Sequence, residues 1–291
     1  RYPDITASKL KEELSKYVSL PVDFIDVYNG SDDGLKDIFT VFVDKDTKVL
    51  SYPPSYTQVD TFISINTDNY KKVQIIDPLG KHQYDFNYCA SSDVVYLVNP
   101  NNPTGKLIDV DVLEKLISSY PNTLFVIDEA YYEFAKQSCC HLVISHKNLI
   151  VTRTFSKAFG LAAVRLGYVI AHPDLLFHLR KIRNGKTVNS LAQLCGISVL
   201  NDIDYLDARI SEMNDSKKFF IDNLPSQYTA IKSHANFVLI KTPNSEEVLE
   251  KMKKNKILIR DRSSFTNLDN CVRITIGSKK QIIRVLNVVS N

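Results

Sequence analysis

The sequence has 291 residues, of which 44% are hydrophobic and 24% charged, and its formal net charge is +3. This composition is ordinary for a globular protein with a large core, and the small charge gives no reason to expect binding to nucleic acid or to an anionic membrane surface. No apolar run approaches the roughly 18 residues that a membrane-spanning helix requires.

The spacing of the cysteines and histidines argues against a metal site. The five cysteines and six histidines form no zinc-binding pattern. Glycine-rich phosphate loops of the P-loop or Rossmann type are absent as well. An odd number of cysteines in a chain of this size favours reduced thiols. We therefore expect a cytoplasmic protein that holds no metal ion.

The chain begins with an extended segment, a helix and a short strand. Residues 1–4 form the extended segment, and Thr6 or Ser8 is expected to cap the first helix. The strand is predicted over residues 23–28, and the turn that follows leads into a second helix.

The turn at residues 29–34 combines glycines, a serine and two aspartates at the start of that helix. Free backbone N–H groups and the helix dipole at such a position favour an anion. An anion here would be bound by backbone amides and by Ser31, with the carboxylates of Asp32 and Asp33 turned away as caps. An ordinary helix cap is the alternative interpretation.

The middle of the chain alternates apolar strands with helices. Residues 49–56 are expected to end a strand and turn, and further strands are predicted over residues 94–98, 124–127, 149–152 and 167–171. This alternation is typical of a mostly parallel sheet covered by helices on both faces. Such sheets bind ligands beyond the carboxyl ends of their strands, where Asn102, Asp128 and Lys157 all fall. Tyr56 also follows a strand end, so its ring could stack on a flat ligand or simply belong to the rim.

Lys157 lies in the stretch with the clearest chemistry. Burial at the end of a strand lowers the pKa of a lysine, and a neutral amine is a nucleophile towards carbonyls. Thr154, Ser156 and Arg165 surround it with hydroxyl groups and a fixed cation, which suits a phosphate. A nucleophilic lysine beside a phosphate site is what pyridoxal phosphate (PLP) requires. From this stretch alone, a surface lysine in a polar loop is the alternative.

The last third of the chain has a different pattern. Helices are predicted over residues 190–224, 245–255 and 278–289, and strands within 228–241, at 257–259 and at 271–276. This mixture indicates a second α/β domain with a small, antiparallel sheet. The predicted division is an N-terminal segment and helix (1–21), a large domain (22–184) and a small domain (185–291).

Several motifs, in order along nearly the whole chain, resemble the fold-type I PLP aminotransferases, and specifically the histidinol-phosphate aminotransferase group. They lie at residues 29–33, 54–56, 99–105, 128–131, 154–160, 165–167 and 271–277. The resemblance implies a large domain with a mostly parallel sheet between helices, a smaller α/β domain and PLP-dependent transamination. It favours histidinol phosphate with 2-oxoglutarate or glutamate as substrates.

The resemblance also implies roles for residues around the cofactor. Lys157 should form the Schiff base with PLP and later move protons between the substrate's Cα and the cofactor's C4′. Asp128 should pair with the pyridine nitrogen, Tyr131 and Asn102 should hydrogen-bond the phenolic oxygen, and Tyr56 should stack on the ring. The phosphate should be held by Ser31, Asp32 and Asp33 (through backbone amides), Thr154, Ser156 and Arg165.

Two arginines and one tyrosine complete the implied site. Arg273 should bind the substrate's anionic group through a bidentate fork, and Arg260 resembles the family's second substrate arginine. A surface ion pair is the alternative for each. Tyr2 resembles the tyrosine that reaches the PLP phosphate of the neighbouring subunit, which implies a homodimer with shared active sites.

Two departures from the family pattern leave the substrate open. The N-terminal arm that precedes the arginine–tyrosine–proline segment in the family is not in the sequence, and a chain without it would be expected to close less well over its substrate. Lys186 stands where the family tends to have a proline–tyrosine–asparagine segment, which should change the charge near the substrate. Alternatives are an aminotransferase for another amino acid or for a small phosphorylated or sugar-derived ketone, decarboxylation or elimination on the same scaffold, and a non-catalytic homologue.

Overall fold

The computed structural model describes residues 2–77 and 81–290, which contain two sheets flanked by helices. The strands of the larger sheet are β1 (Ile25–Tyr28), β2 (Val49–Ser51), β3 (Tyr70–Lys72), β4 (Val94–Val98), β5 (Leu124–Asp128), β6 (Leu149–Thr154) and β7 (Gly167–Ala171). Their order is β1-β7-β6-β5-β4-β2-β3. Only β7 pairs antiparallel with its neighbours, β1 and β6, and the other pairs are parallel. The predicted mostly parallel sheet is confirmed.

Helices cover both faces of this sheet. The helices of the chain are α1 (Ser8–Val18), α2 (Ser31–Phe42), α3 (Gln58–Ser64), α4 (Val110–Ser119), α5 (Tyr132–Ala135), α6 (Pro173–Arg180), α7 (Ser190–Leu200), α8 (Ile203–Asp222), α9 (Ser245–Lys254) and α10 (Lys279–Ser290). One core places α1 and α4 against the sheet through residues such as Leu10 and Leu113. The other places α2, α3 and α6 on the opposite face, through Leu35, Val59 and Leu176. Both faces are therefore dry, which explains why the central strands read as continuous apolar runs.

The smaller sheet is antiparallel throughout, as predicted. It contains β8 (Thr229–Ile231), β9 (Phe237–Lys241), β10 (Arg260–Asp261) and β11 (Cys271–Thr275), in the order β10-β11-β9-β8. Helices α8, α9 and α10 pack on it around Phe220, Met252 and Ile282. The strand predicted over residues 257–259 is wrong, because Ile257 and Ile259 pack against this core without pairing and the pairing begins at Arg260.

The first helix is capped from further upstream than predicted. Its N-cap is Ala7, which adopts a left-handed φ of 48° and offers no side-chain cap. The carboxylate of Asp4 accepts hydrogen bonds from the backbone N–H groups of Ser8 (2.8 Å) and Thr6 (3.0 Å) instead. The expectation that Thr6 or Ser8 caps the helix was therefore wrong.

The described residues show free thiols, no metal-binding cluster and no helix that could span a membrane. All five cysteines are free thiols. Across residues 2–77 and 81–290 there is no group of three His, Cys, Asp or Glu side chains that could hold a metal ion. Within the same ranges, no helix has both the length and the apolarity that crossing a bilayer would take. The division at residues 21 and 184 stays a prediction.

The carboxyl ends of three central strands lie side by side. The register pairs Val98 at the end of β4 with Asp128 at the end of β5, and Asp128 with Thr152 on β6. Parallel strands bring the residues that follow them to one edge of the sheet, where ligands bind in folds of this kind.

Candidate active site

A cavity of about 340 Å³ lies at this edge, between the larger sheet and strands β10 and β11. Its size is that of a small-molecule site. It brings together twelve predicted site residues: Ser31, Asp32, Tyr56, Asn102, Asp128, Tyr131, Thr154, Ser156, Lys157, Arg165, Arg260 and Arg273. Two predicted residues, Asp33 and Tyr2, are not among those that line it.

Lys157 follows β6 and points into the cavity. Its side chain is accessible from the cavity, and Nζ lies 5.6 Å from the centre of the Tyr131 ring. Desolvation by the surrounding protein lowers the pKa of this amine, and the positive charge of Arg273 lowers it further. Asp128 acts in the opposite direction with a smaller effect. A lysine in a polar surface loop would lack these neighbours, so the geometry favours a nucleophilic amine.

Asp128 ends β5 as a buried carboxylate that still lines the cavity. Only 3% of the residue is exposed. Its Oδ2 accepts a hydrogen bond from the Tyr96 hydroxyl (3.0 Å) and its Oδ1 accepts one from the backbone N–H of Ala130 (3.1 Å). Burial raises the pKa of this carboxyl to about 6 in spite of those bonds. A cation facing it from the cavity would restore its charge.

The loop after β4 is held by its own amides. Asn101 Nδ2 donates to the Pro54 carbonyl oxygen (3.0 Å) and to Thr104 Oγ1 (2.9 Å), and Asn99 donates to the carbonyl of Ile108 (3.0 Å). These bonds fix the loop so that Asn102 faces the cavity. Asn102 Oδ1 accepts a hydrogen bond from Arg273 Nη1, a contact that the sequence did not predict.

The start of α2 forms a cup suited to a phosphate. Gly30 has φ of 85°, and a Cβ at this residue would lie 2.6 Å from Arg165 Nη2. A Cβ at Gly167 would lie 2.4 Å from the backbone nitrogen of Ser31. Arg165 itself adopts a left-handed φ of 55°, which is uncommon for a residue with a side chain. This close approach brings the start of α2 and the guanidinium of Arg165 together at the cavity, and free N–H groups at a helix start favour an anion.

The hydroxyl side of the cup comes from the segment after β6. The backbone N–H of Ser156 donates to Thr154 Oγ1 (3.1 Å), which turns the chain towards Lys157. Ser156 Oγ in turn accepts a hydrogen bond from Arg165 Nη1 (3.5 Å). The cavity therefore presents two hydroxyls and one cation next to the lysine.

The two aspartates of the turn behave differently from each other. Asp33 accepts from the backbone N–H of Asn29 (3.1 Å), as expected for a cap that is turned away. Asp32 instead lines the cavity, accepting from the Tyr56 hydroxyl (2.9 Å) and lying 3.4 Å from Arg165 Nη2. The expectation that both carboxylates turn away was wrong for Asp32, because its neighbours are a phenol and a guanidinium.

The opposite wall of the cavity carries three guanidinium groups. Arg260 on β10 pairs directly with Arg273 on β11, and Arg262 lies two residues past Arg260. Arg273 also lies over the Phe237 ring, 4.8 Å from its centre. Sequence reasoning missed Arg262, because it lies just past the two-residue strand β10 and no strand periodicity reaches it.

Tyr2 and Lys186 lie together outside the cavity. Tyr2 is 82% exposed, and Lys186 Nζ is 5.2 Å from the centre of its ring. Neither residue lines the cavity of its own chain. Lys186 was expected to change the charge near the substrate. Within a single chain, the structure does not place Lys186 at the cavity.

The residues present fit pyridoxal phosphate. An accessible amine with a lowered pKa suits the aldehyde, and a buried carboxyl whose pKa burial has raised suits a cationic ring nitrogen. The helix start with Arg165, Thr154 and Ser156 suits the phosphate. Fold and cavity together define a PLP-binding enzyme of the fold-type I class.

Comparison with known proteins identifies the family. The aminotransferase class I and II family matches residues 1–289, and the chain belongs to it. It is 35% identical over 297 residues to a dihydroxyacetone phosphate transaminase of Campylobacter jejuni, covering 97% of this chain and 78% of that protein. It is also 35% identical over 291 residues to a histidinol-phosphate aminotransferase of Thermoanaerobacter, covering 95% and 80%.

A solved structure agrees with the fold. The histidinol-phosphate aminotransferase of Sinorhizobium meliloti, in complex with pyridoxal-5′-phosphate, superposes with a TM-score of 0.89 at 24% identity, covering 99% of this chain and 82% of that one. The predicted fold type is thereby confirmed, and the family match confirms the enzyme class and its cofactor. The chain is a PLP-dependent aminotransferase.

Proposed function

We propose that this aminotransferase moves an amino group between glutamate and a small phosphorylated compound, with histidinol phosphate and 2-oxoglutarate as the best-supported pair. The observation that carries the proposal is the wall of three guanidiniums facing Lys157 across the cavity. Such a wall calls for an anionic substrate. The names of the two similar enzymes support the same class, because both act on phosphorylated compounds.

The residues around Lys157 have separate roles in cofactor binding and proton transfer. Lys157 Nζ would hold the cofactor and, once the substrate's amine has displaced it, would take the proton from the substrate's Cα. Asp128 would keep the ring nitrogen protonated, and Tyr131 and Asn102 would hydrogen-bond the phenolic oxygen. The bound cofactor supplies an electron sink for the charge that develops when Cα loses a proton.

The remaining residues orient the cofactor and the substrate. Tyr56 would cover one face of the ring, and its hydroxyl donates to Asp32 Oδ1. The start of α2 binds the cofactor's phosphate, together with Thr154, Ser156 and Arg165. Arg273 and Arg260 bind the anionic group of the substrate. The hydrogen bond from Arg273 to Asn102 links this substrate-binding arginine to a residue that is proposed to contact the cofactor.

Tyr2 is proposed to complete the active site of a second subunit. Its exposure and its absence from the lining of its own chain's cavity support a role in a homodimer with shared sites. The enzyme is proposed to act in the cytoplasm, in keeping with its free thiols.

A phosphorylated ketone is the second candidate acceptor, because the Campylobacter relative is a dihydroxyacetone phosphate transaminase. The experiment compares turnover of L-histidinol phosphate with 2-oxoglutarate against glutamate with dihydroxyacetone phosphate. Formation of glutamate in the first mixture supports the histidinol phosphate assignment. Turnover in the second mixture alone would reject it and support the ketone. Loss of CO₂ without amino transfer would reject transamination.

A further inference from the structure

Arg262 is a cavity residue for which the family resemblance gave no role. It is half-buried, its backbone N–H donates to the carbonyl of Cys271, the first residue of β11, and its guanidinium stands 5.7 Å from the centre of the Phe265 ring. One of its terminal nitrogens donates to the carbonyl of Asp261 (3.0 Å). Its position at the mouth of the cavity is therefore fixed before any ligand binds.

The three guanidiniums of this wall form no salt bridge within the described residues, although the neighbouring Asp261 carboxylate acts to raise the pKa of Arg262. Arginine ion pairs in residues 2–77 and 81–290 involve Arg153, Arg165, Arg180 and Arg209. None of them involves the arginines of β10, β11 or the segment between. Mutual repulsion among these cations lowers the pKa of Arg262 and of Arg273, after the larger effect of desolvation. Like charges on facing strands are destabilising, so the wall stores repulsion that an anion would relieve.

The hydrogen bonds of the wall leave some of its N–H donors unpaired. The Nε atoms of Arg262 and Arg273 are buried without a hydrogen-bond partner in the described structure. Asn102 already occupies one terminal nitrogen of Arg273. A carboxylate carries one charge and two oxygens, which a single guanidinium fork satisfies. A phosphate monoester carries nearly two charges and three terminal oxygens, and would use more than one fork.

We propose that Arg262 is the residue that makes this site prefer a phosphate monoester over a carboxylate. Arg273 and Arg260 bind either anion, and Arg262 supplies the additional charge and donors that only a phosphate uses. This inference rests on the proposed function, since it assigns the specificity of the same cavity. The reaction with glutamate, whose anionic groups are both carboxylates, should depend little on Arg262.

The first test measures anion binding without turnover. The protein is loaded with PLP, so that the cofactor's own phosphate fills the cup at α2, and its melting temperature is followed with inorganic phosphate against chloride at equal ionic strength. Phosphate should raise the melting temperature of the wild type. Arg262→Met should melt higher than the wild type in chloride, because repulsion is relieved, and should lose most of the rise with phosphate. Arg284→Met, in α10 away from the cavity, serves as the charge-matched control and should keep the rise.

The second test separates the two substrates. Arg262→Met should lower kcat/KM for L-histidinol phosphate by about 10- to 100-fold, mainly through KM, because a charge-assisted bond to the substrate is lost. The half-reaction with glutamate, and that with unphosphorylated L-histidinol, should change less than about threefold. Arg262→Lys, which keeps the charge without the fork, should fall between the wild type and Arg262→Met.

Two results would overturn the inference. One is an Arg262→Met variant that keeps the full rise with phosphate. The other is an equal loss of activity towards L-histidinol phosphate and glutamate. Wild-type protein that binds phosphate but converts no phosphorylated amine would contradict the proposed function instead, and the melting experiment would still decide the role of Arg262.

Discussion

Glu133 gives a prediction whose size follows from the structure. This residue of α5 is 3% exposed, and both of its carboxylate oxygens are buried without a hydrogen-bond partner in the described structure. The nearby buried cation, Arg153, is already paired with Glu129 at 2.9 Å and lies over the Tyr132 ring. Burial raises the pKa of Glu133 from 4.5 to about 7, even though Arg153 acts in the opposite direction.

The sign of the pH dependence follows from that pKa. Because the folded protein holds the proton more tightly than the unfolded chain, the stability associated with Glu133 is complete below about pH 4.5 and is lost as the pH rises through 7. The change from 4.5 to about 7 corresponds to about 3 kcal/mol, at roughly 1.4 kcal/mol per pKa unit. Glu133→Gln keeps the shape of the protonated acid and removes this loss.

The assay is the free energy of unfolding of Glu133→Gln and wild type, measured from pH 4.5 to 8.5. The two proteins should be equally stable at the acid end, and the variant should be up to about 3 kcal/mol more stable at the alkaline end. Glu129→Gln is the matched control, and it should be less stable than wild type throughout because Arg153 loses its buried partner. A difference between Glu133→Gln and wild type that stays constant with pH, or a variant that is less stable at pH 8, would refute the reasoning.

Three further substitutions and one control variant test the site. Lys157→Ala should abolish turnover and covalent attachment of PLP while the circular dichroism spectrum stays unchanged; repeated turnover by this variant would contradict the role of the lysine. Arg273→Lys should raise KM for anionic substrates about tenfold or more because the fork is lost, and an unchanged KM would mean that another group holds the anion. Gly167→Ala places a Cβ 2.4 Å from the backbone nitrogen of Ser31 and should weaken PLP binding, as measured by fluorescence titration. Gly160→Ala, with φ of 69° and nothing within 4 Å, should cost about 1 kcal/mol of stability and leave PLP affinity unchanged.

The sequence was most informative where a strand is buried on both faces. The strands at Val94–Val98 and Gly167–Ala171 were predicted to the residue, because apolar runs end at proline-rich or glycine-containing turns. The short β3 (Tyr70–Lys72) and helix α3 were not predicted. Tyr70–Lys72 is polar and lies at the sheet's edge, so it lacks the apolar pattern that would indicate a strand. The isoleucines before Arg260 were read as a strand, although they contribute apolar contacts without pairing.

The site could be predicted for residues whose positions follow directly from the predicted strands. Lys157 and Asp128 follow strands whose ends the topology must bring together, so their meeting could be expected. The positions of Asp32 and Arg262 depend on partners that are distant in the chain. Asp32 lies against Arg165, 133 residues away. Arg262 directly follows the two-residue strand β10, and its backbone N–H donates to the carbonyl of Cys271. Such contacts are decided by tertiary packing, which local pattern does not encode.

The measurement that tests the central claim most directly is the absorbance spectrum of the PLP-loaded protein before and after L-histidinol phosphate is added alone. If the enzyme is an aminotransferase for this substrate, the visible band of the lysine-linked cofactor should disappear and the near-ultraviolet band of its amine form should replace it. Addition of 2-oxoglutarate should then restore the first spectrum. A visible band that forms with PLP but does not respond to L-histidinol phosphate would contradict the substrate assignment. Failure of the protein to form that band at all would contradict the assignment of Lys157 and the cavity.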